Sequence, residues 1–397
     1  MASKLRADYP WTTSPVIINA PMAGFAGAPL ATAVTASGGI GMIGIVNDTA
    51  ALEAHLEDAS KTFSSSSSPP PSSSSSLSTS TSPASSASAS AFYQETHVLP
   101  IGVGLLLFAL KTPDAVLPAL RRHPPALLWL FAAPALGDYA VWTTALRAAL
   151  PPTTKIWIQV GTASAALEVA RSSSSSSSSS SAAAAVAPDV IVLQGSDAGG
   201  HGFARGASLV SLLPETTALF AEEEEKGLSS IPIPLLVAAG GIVDGRGVAA
   251  ALSLGAAGVV MGTAFLAAHE TALHPAYRAA VLAARDGATA TARATVFDEL
   301  RGPSVWPALY DGRALATESY RDWRSGTEIE VLRARVADAA REGEGRGFAG
   351  GRAPVWAGAG VGLVNEVRSA GQIVEAVRDG ARTALRGALA GLGVDGA

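Results

Sequence analysis

The 397-residue chain is 48% hydrophobic and only 15% charged, enough to bury one large core or two. Its net charge of -5 offers no basic face to a polyanion, which argues against nucleic acid, and the absence of cysteine removes disulfides, thiolate metal sites and cysteine nucleophiles together. The longest apolar runs, 98–110 and 126–136, are too short and too interrupted by Gly or Pro to span a membrane, and the start lacks the apolar core of a signal peptide, so a soluble cytoplasmic protein is expected.

In chain order, Pro15-Val16-Ile17-Ile18-Asn19-Ala20-Pro21-Met22-Ala23-Gly24 reads as a compact apolar strand ending in a Pro/Gly turn. A short helix over 29–37 follows, stopped by Gly38-Gly39, then a strand over 40–45. Asn47-Asp48-Thr49 offers capping oxygens to a helix over 50–61. From 63 to 91 the composition collapses into Ser, Pro, Thr and Ala. That leaves too little apolar surface to offset the entropy of ordering, so the stretch predicts a disordered surface insert, and 172–185 predicts a second.

Between and beyond the inserts the alternation resumes. Strands are expected over 98–108, 126–131, 155–160, 190–194, 235–238 and 258–261, and helices over 113–122, 138–150, 163–171, 208–221 and 245–254. That makes eight strands, each but the last followed by helix signals, which predicts a parallel (β/α)8 TIM barrel. An open doubly wound sheet would need G-x-G-x-x-G after the first strand, and Ala23-Gly24-Phe25-Ala26-Gly27 does not supply it. The barrel is expected over 1–268. The remainder, 269–397, is expected to be mainly helical and to pack on it, with Ile329, Leu332, Val336 and Ala340 sharing one helical face. Its helices would either cover a pocket or build a homodimer.

Two places carry chemistry. The sixth strand runs into Gln194-Gly195-Ser196-Asp197-Ala198-Gly199-Gly200-His201-Gly202, where paired glycines let backbone approach a ligand and deliver His201 to the end of a strand. Imidazole titrates nearest neutral pH, so His201 can give or take a proton there; the plainer alternative is a loop histidine satisfied by neighbouring carbonyls. The seventh and eighth strands end in Gly240-Gly241 and Gly262-Thr263. Either pair alone is an ordinary turn. Both at consecutive strand ends, with a helix amino end behind them, predict backbone N–H groups that receive a phosphate-bearing ligand. The remaining histidines, His55, His97, His123, His269 and His274, form no metal-ligand spacing.

These stretches, together with the tail around 356–362, resemble the nitronate monooxygenase family, formerly called 2-nitropropane dioxygenases, which are FMN-dependent barrels. The resemblance implies that Pro21, Met22 and Ala23 lie against the flavin ring with Gln194 and Gly199 nearby. It implies that Gly241, Val260, Met261, Gly262 and Thr263 hold the phosphate, to which the backbone reading adds Gly240, and that His201 is the active-site base. Gly104 stands where many members carry Asn and can offer only backbone to the cofactor. Asp197 stands where Glu is common and is given no catalytic role. Arg205 either helps hold an anionic substrate or is a solvated loop charge. The implied reaction is oxidation of a nitronate or nitroalkane by flavin and O2 to a carbonyl compound and nitrite, without nicotinamide. Two alternatives keep the fold: an NAD(P)H-dependent FMN reductase acting on quinones or enoyl thioesters, and a non-catalytic FMN-binding barrel.

Overall fold

A computed structural model describes residues 2–65, 83–171, 187–226, 233–341, 345, 347, 348 and 351–393. The eight anticipated strands form one parallel sheet. They are β1 (Ile17–Asn19), β2 (Gly41–Gly44), β3 (Leu99–Leu106), β4 (Pro125–Phe131), β5 (Lys155–Val160), β6 (Val190–Gln194), then β8 (Leu235–Ala239) and β9 (Val259–Met261), with β7 (Gly200–Phe203) lying outside this sheet. Neighbours run β1-β9-β8-β6-β5-β4-β3-β2. Most strand residues are buried on both faces, which is why these strands read as continuous apolar runs rather than alternating ones.

The ring closes between β1 and β2, where only Ile18 and Ile40 make a backbone bridge. The Asn19 side chain completes the seam: its Nδ2 donates to Met42 O at 2.9 Å, and its Oδ1 accepts from Met42 N at 2.8 Å. A buried amide thus stands in for a peptide unit of the missing ladder.

The helix that the eighth strand lacks locally comes from the far end of the chain. Helix Ala370–Gly391 packs against Gly245–Ser253, the helix after β8, and against Ala28–Ala36, the helix after β1. A Cβ on Gly245 would lie 2.3 Å from the backbone of Gly380 and Ala381, so a glycine is what lets the two helices approach. Arg378, 5% exposed, anchors the helix by donating to Pro15 O, Ser37 O and Gly38 O. The outer ring therefore draws on the region that the sequence reading set apart from the barrel.

That region also holds strands where helices and loops were expected. β10 (Thr291–Ala294) and β11 (Tyr310–Leu315) join β7 in a three-stranded antiparallel sheet, with Gly312 opposite His201.

The insert expected over 63–91 is narrower than predicted. Phe63 is buried in the helix Thr49–Ser65, and 83–91 belong to the helix Pro83–Thr96. Phe92 packs on Trp11, Tyr93 Oη lies 2.7 Å from Ser60 Oγ, and Ala89 and Ser90 are buried. Tertiary anchors thus override a composition that is weakly apolar on its own. The rest of that insert, 66–82, and the whole of the second, 172–185, lie outside the described residues.

Candidate functional site

A cavity of about 690 Å³ opens at the carboxyl ends of the barrel strands. Its floor begins at the turn after β1. Ala20 N donates to Met261 O at 2.9 Å and Met22 N to Ala20 O at 2.8 Å, so the chain doubles back and presents Pro21, Met22 and Ala23 to the cavity. Space for this turn comes from two glycines. A Cβ on Gly104 would lie 2.3 Å from Pro21 Cβ, and one on Gly44 would lie 2.6 Å from the carbonyl carbons of Pro21 and Met22. Gly104 lines the cavity and leaves room for the Pro21 ring.

The two glycine corners line the same cavity. Gly240 and Gly241 have φ of 104° and 75°, conformations that favour glycine. The backbone N–H groups of Gly240, Gly241, Gly262 and Thr263 carry no protein hydrogen bond among the described residues. Thr263 Oγ1 accepts from Gly358 N at 3.0 Å, which leaves its hydroxyl proton free to donate. The helix amino end behind these corners is capped by Asp244, whose side chain accepts from Arg246 N and Gly247 N. Gly240, Gly241, Val260, Gly262 and Thr263 line the cavity. Met261 is fully buried and faces the core instead, and its carbonyl holds the β1 turn. Gly199 lines the cavity too, packed so closely on the tail that a Cβ would lie 2.3 Å from Ala357 C and Gly358 N.

His201 lines the same cavity. It sits on β7 rather than in a free loop, and Gln194 at the end of β6 holds it by donating from Nε2 to His201 O at 3.0 Å. Trp306 stacks on the imidazole with centroids 3.6 Å apart and planes 7° apart, and Trp356 leans on it at 4.6 Å. Nε2 lies 2.7 Å from Asp298 Oδ1, so the ring is satisfied by a carboxylate and not by carbonyls. His201 and Gln194 both line the cavity.

Gln159, at the end of β5, lines it as well. Trp129 Nε1 donates to Gln159 Oε1 at 3.0 Å; because indole can only donate, this fixes which way the amide points. Tyr277 lines the cavity with its hydroxyl donated to Trp356 O at 3.0 Å, and burial holds it protonated far above the ordinary tyrosine range. Behind the wall, Tyr310 donates to Ala133 O at 2.9 Å, and burial pushes its pKa up to about 12.

Of the two candidate roles for Arg205, the structure gives it an exposed place off the cavity wall. The cation on the wall is Lys111, whose φ of 65° is left-handed. Asp197 backs the glycine corner: its carbonyl accepts from Ala359 N at 2.9 Å. Among the described residues no group of three or more His, Cys, Asp or Glu could hold a metal ion, and no helix is long and apolar enough to cross a membrane. Asp298, Trp306 and Lys111 escape a reading of the sequence. The one available signal was Trp306-Pro307 ahead of the alternating Tyr310–Leu315 stretch.

The chain matches the nitronate monooxygenase family model over residues 148–379. It is 38% identical to the nitronate monooxygenase npaC of Metarhizium robertsii, over 98% of this chain and 97% of that protein. It is 34% identical to a nitronate monooxygenase of Neurospora crassa, over 97% and 93% respectively. Among solved structures, FabK from Thermotoga maritima superposes with a TM-score of 0.65 at 20% identity, covering 98% of each chain. A nitroalkane oxidase from Streptomyces ansochromogenes gives 0.60 at 22% identity over 94% of this chain and 98% of that one. Likeness at such identities speaks to the fold.

Proposed function

This chain belongs to the nitronate monooxygenase family and is an oxidoreductase, and from that premise we propose that it oxidises alkyl nitronates, and nitroalkanes after deprotonation, with FMN and O2. The products are a carbonyl compound and nitrite. The observation that carries this reading is that His201 and both glycine corners line one cavity.

The residues fit FMN. Four unpaired N–H groups and the Thr263 hydroxyl supply the donors that a phosphate needs, without a basic side chain. Gly240, Gly241, Val260, Gly262 and Thr263 would hold the phosphate end, with buried Met261 supporting them from the core. Pro21, Met22 and Ala23 would hold its ring system, with Gly104 backbone, Gln194 and Gly199 completing that part of the cavity. When bound, the flavin supplies the electron acceptor and the partner for O2.

The chain's own residues do the rest. Neutral His201 removes the proton α to the nitro group of a nitroalkane; protonated, it pairs with a nitronate oxygen. Trp306, Trp356, Phe108 and Phe131 make its surroundings apolar, which excludes water and strengthens electrostatic contacts with the anion.

The test is an oxygen-electrode assay of the FMN-loaded protein with ethyl nitronate, with and without NADH. Oxygen uptake and nitrite release independent of NADH are expected. Rapid anaerobic bleaching of the flavin by NADH, with no oxygen uptake on adding nitronate, would overturn the proposal in favour of a nicotinamide-dependent reductase.

A further inference from the structure

Asp298 is a carboxylate in direct contact with the His201 imidazole. It lies in the short turn Val296–Glu299, 97 residues beyond His201, yet its Oδ1 is 2.7 Å from His201 Nε2. The two side chains are 9% and 14% exposed. An ionised carboxylate only accepts, so the proton of this hydrogen bond resides on Nε2. Neutral imidazole has a single ring proton, which leaves Nδ1 with its lone pair, and Nδ1 has no hydrogen-bond partner among the described residues. The ring cannot easily turn to exchange these roles, since Trp306 stacks on its face and Trp356 leans against it.

The other charged groups around β7 are engaged elsewhere. Arg293 on β10 pairs with Asp311 on β11 and donates to Phe203 O. Arg313 donates to Ser196 O and Thr291 Oγ1, with Asp197 near it. Arg333 donates to Glu299 O and pairs with Glu330. Asp298 is the carboxylate in contact with the imidazole.

We propose that Asp298 is the positioning residue of this site: it holds His201 as the Nε2–H tautomer, leaves Nδ1 as the basic nitrogen at the cavity, and balances the imidazolium that forms on proton abstraction. The inference rests on the reading of His201 as the base. In the step it serves, the C–H bond α to the nitro group breaks and the proton goes to Nδ1. The electron pair stays with the carbon and delocalises into the nitro group, giving the nitronate, so no oxidant takes part. A preformed nitronate bypasses the abstraction and needs only the pairing with His201, so Asp298 matters far more for the nitroalkane than for the nitronate.

The experiment compares nitroethane and ethyl nitronate in Asp298→Asn, Asp298→Glu and the unmodified holoenzyme. An asparagine keeps a hydrogen bond but loses the charge, and its amide can donate to Nε2, which favours the wrong tautomer. In Asp298→Asn, kcat/KM for nitroethane should fall by about 100-fold or more, while that for ethyl nitronate stays within about threefold. The pH at which nitroethane turnover is lost should move down, and Asp298→Glu should recover part of the rate. Equal losses on both substrates would mean a structural role and overturn the proposal, as would no loss on either. A second measurement needs no variant: 15N-histidine NMR of the holoenzyme should show Nδ1 unprotonated in neutral His201, and a protonated Nδ1 would overturn it. If the unmodified holoenzyme takes up no oxygen with ethyl nitronate, the reading of the function fails instead, a separate result.

Discussion

Adding one methyl group at Gly104 should disturb both folding and cofactor binding. The carbon would lie 2.3 Å from Pro21 Cβ and 2.7 Å from Pro21 Cγ. Nonbonded carbons settle at about 3.5–4.0 Å, so Gly104→Ala requires a relative shift of roughly 1.2 Å or more. Pro21 has little freedom to yield: its ring fixes φ, and its carbonyl carbon is backed by Gly44, where a Cβ would lie 2.6 Å away. Overpacking of this kind costs about 1–3 kcal/mol, and the displaced ring moves within the floor where the flavin is proposed to lie. If about 1.4 kcal/mol of that cost falls on the FMN-bound state alone, the Kd for FMN weakens tenfold. Thermal unfolding of the apoprotein should show a Tm lowered by a few degrees, and fluorescence titration should show the weaker FMN binding. Gly137→Ala is the control, since a Cβ there meets nothing within 4 Å. An unchanged Tm and FMN affinity in Gly104→Ala would refute the steric reasoning and the place given to Pro21.

Two other perturbations probe the scaffold. Arg378→Ala leaves the carbonyls of Pro15 and Ser37 without this donor, while Gly38 O keeps Thr13 N, and at about 1 kcal/mol for each lost partner should destabilise the protein by about 2 kcal/mol in urea unfolding while kcat hardly changes. An unchanged unfolding midpoint would show that the buried cation does not anchor the last helix. Tyr310 gives a pH dependence. Burial raises its pKa from 10.0 to about 12, so the folded state keeps a proton that the unfolded chain loses. Its contribution is complete below pH about 10 and is lost as pH rises through about 12, so stability falls across that window. Tyr310→Phe should flatten the decline, read from denaturant midpoints between pH 9 and pH 11 (roughly the accessible part of that window); an unaltered slope would contradict the assignment.

Much of the barrel could be read from the sequence because parallel strands buried on both faces leave uninterrupted apolar runs, such as Ala126 to Phe131 and Val190 to Leu193. Glycine corners are equally visible: Gly240-Gly241 and Gly262 mark strand ends by residue type alone. Features made by distant pairing were not visible. Asn19 reads as a polar end to a strand, and nothing local says that its amide closes the ring onto Met42. The eighth helix follows its strand only after the two strands that carry the His201 sheet, so local order could not assign it. Thr291–Ala294 alternates only through weakly apolar alanines, its burial does not alternate, and it becomes a strand by pairing with β11. Tyr310–Leu315 does alternate, with residues 310, 312 and 314 buried, and was the readable half of that sheet. His201 stood out in the sequence, whereas Asp298 and Trp306, which fix its ring, come from beyond β9 and became evident only when the chain was folded.

The central claim is that residue 201 does its chemistry at the same mouth that receives the cofactor. It is tested most directly by His201→Asn, with bound FMN measured alongside kcat/KM for nitroethane and ethyl nitronate. FMN occupancy should be retained, nitroethane turnover should fall by about 10²–10⁴-fold, and ethyl nitronate should be affected far less. Loss of FMN in parallel with both activities, or nitroethane turnover at the unmodified rate, would contradict it.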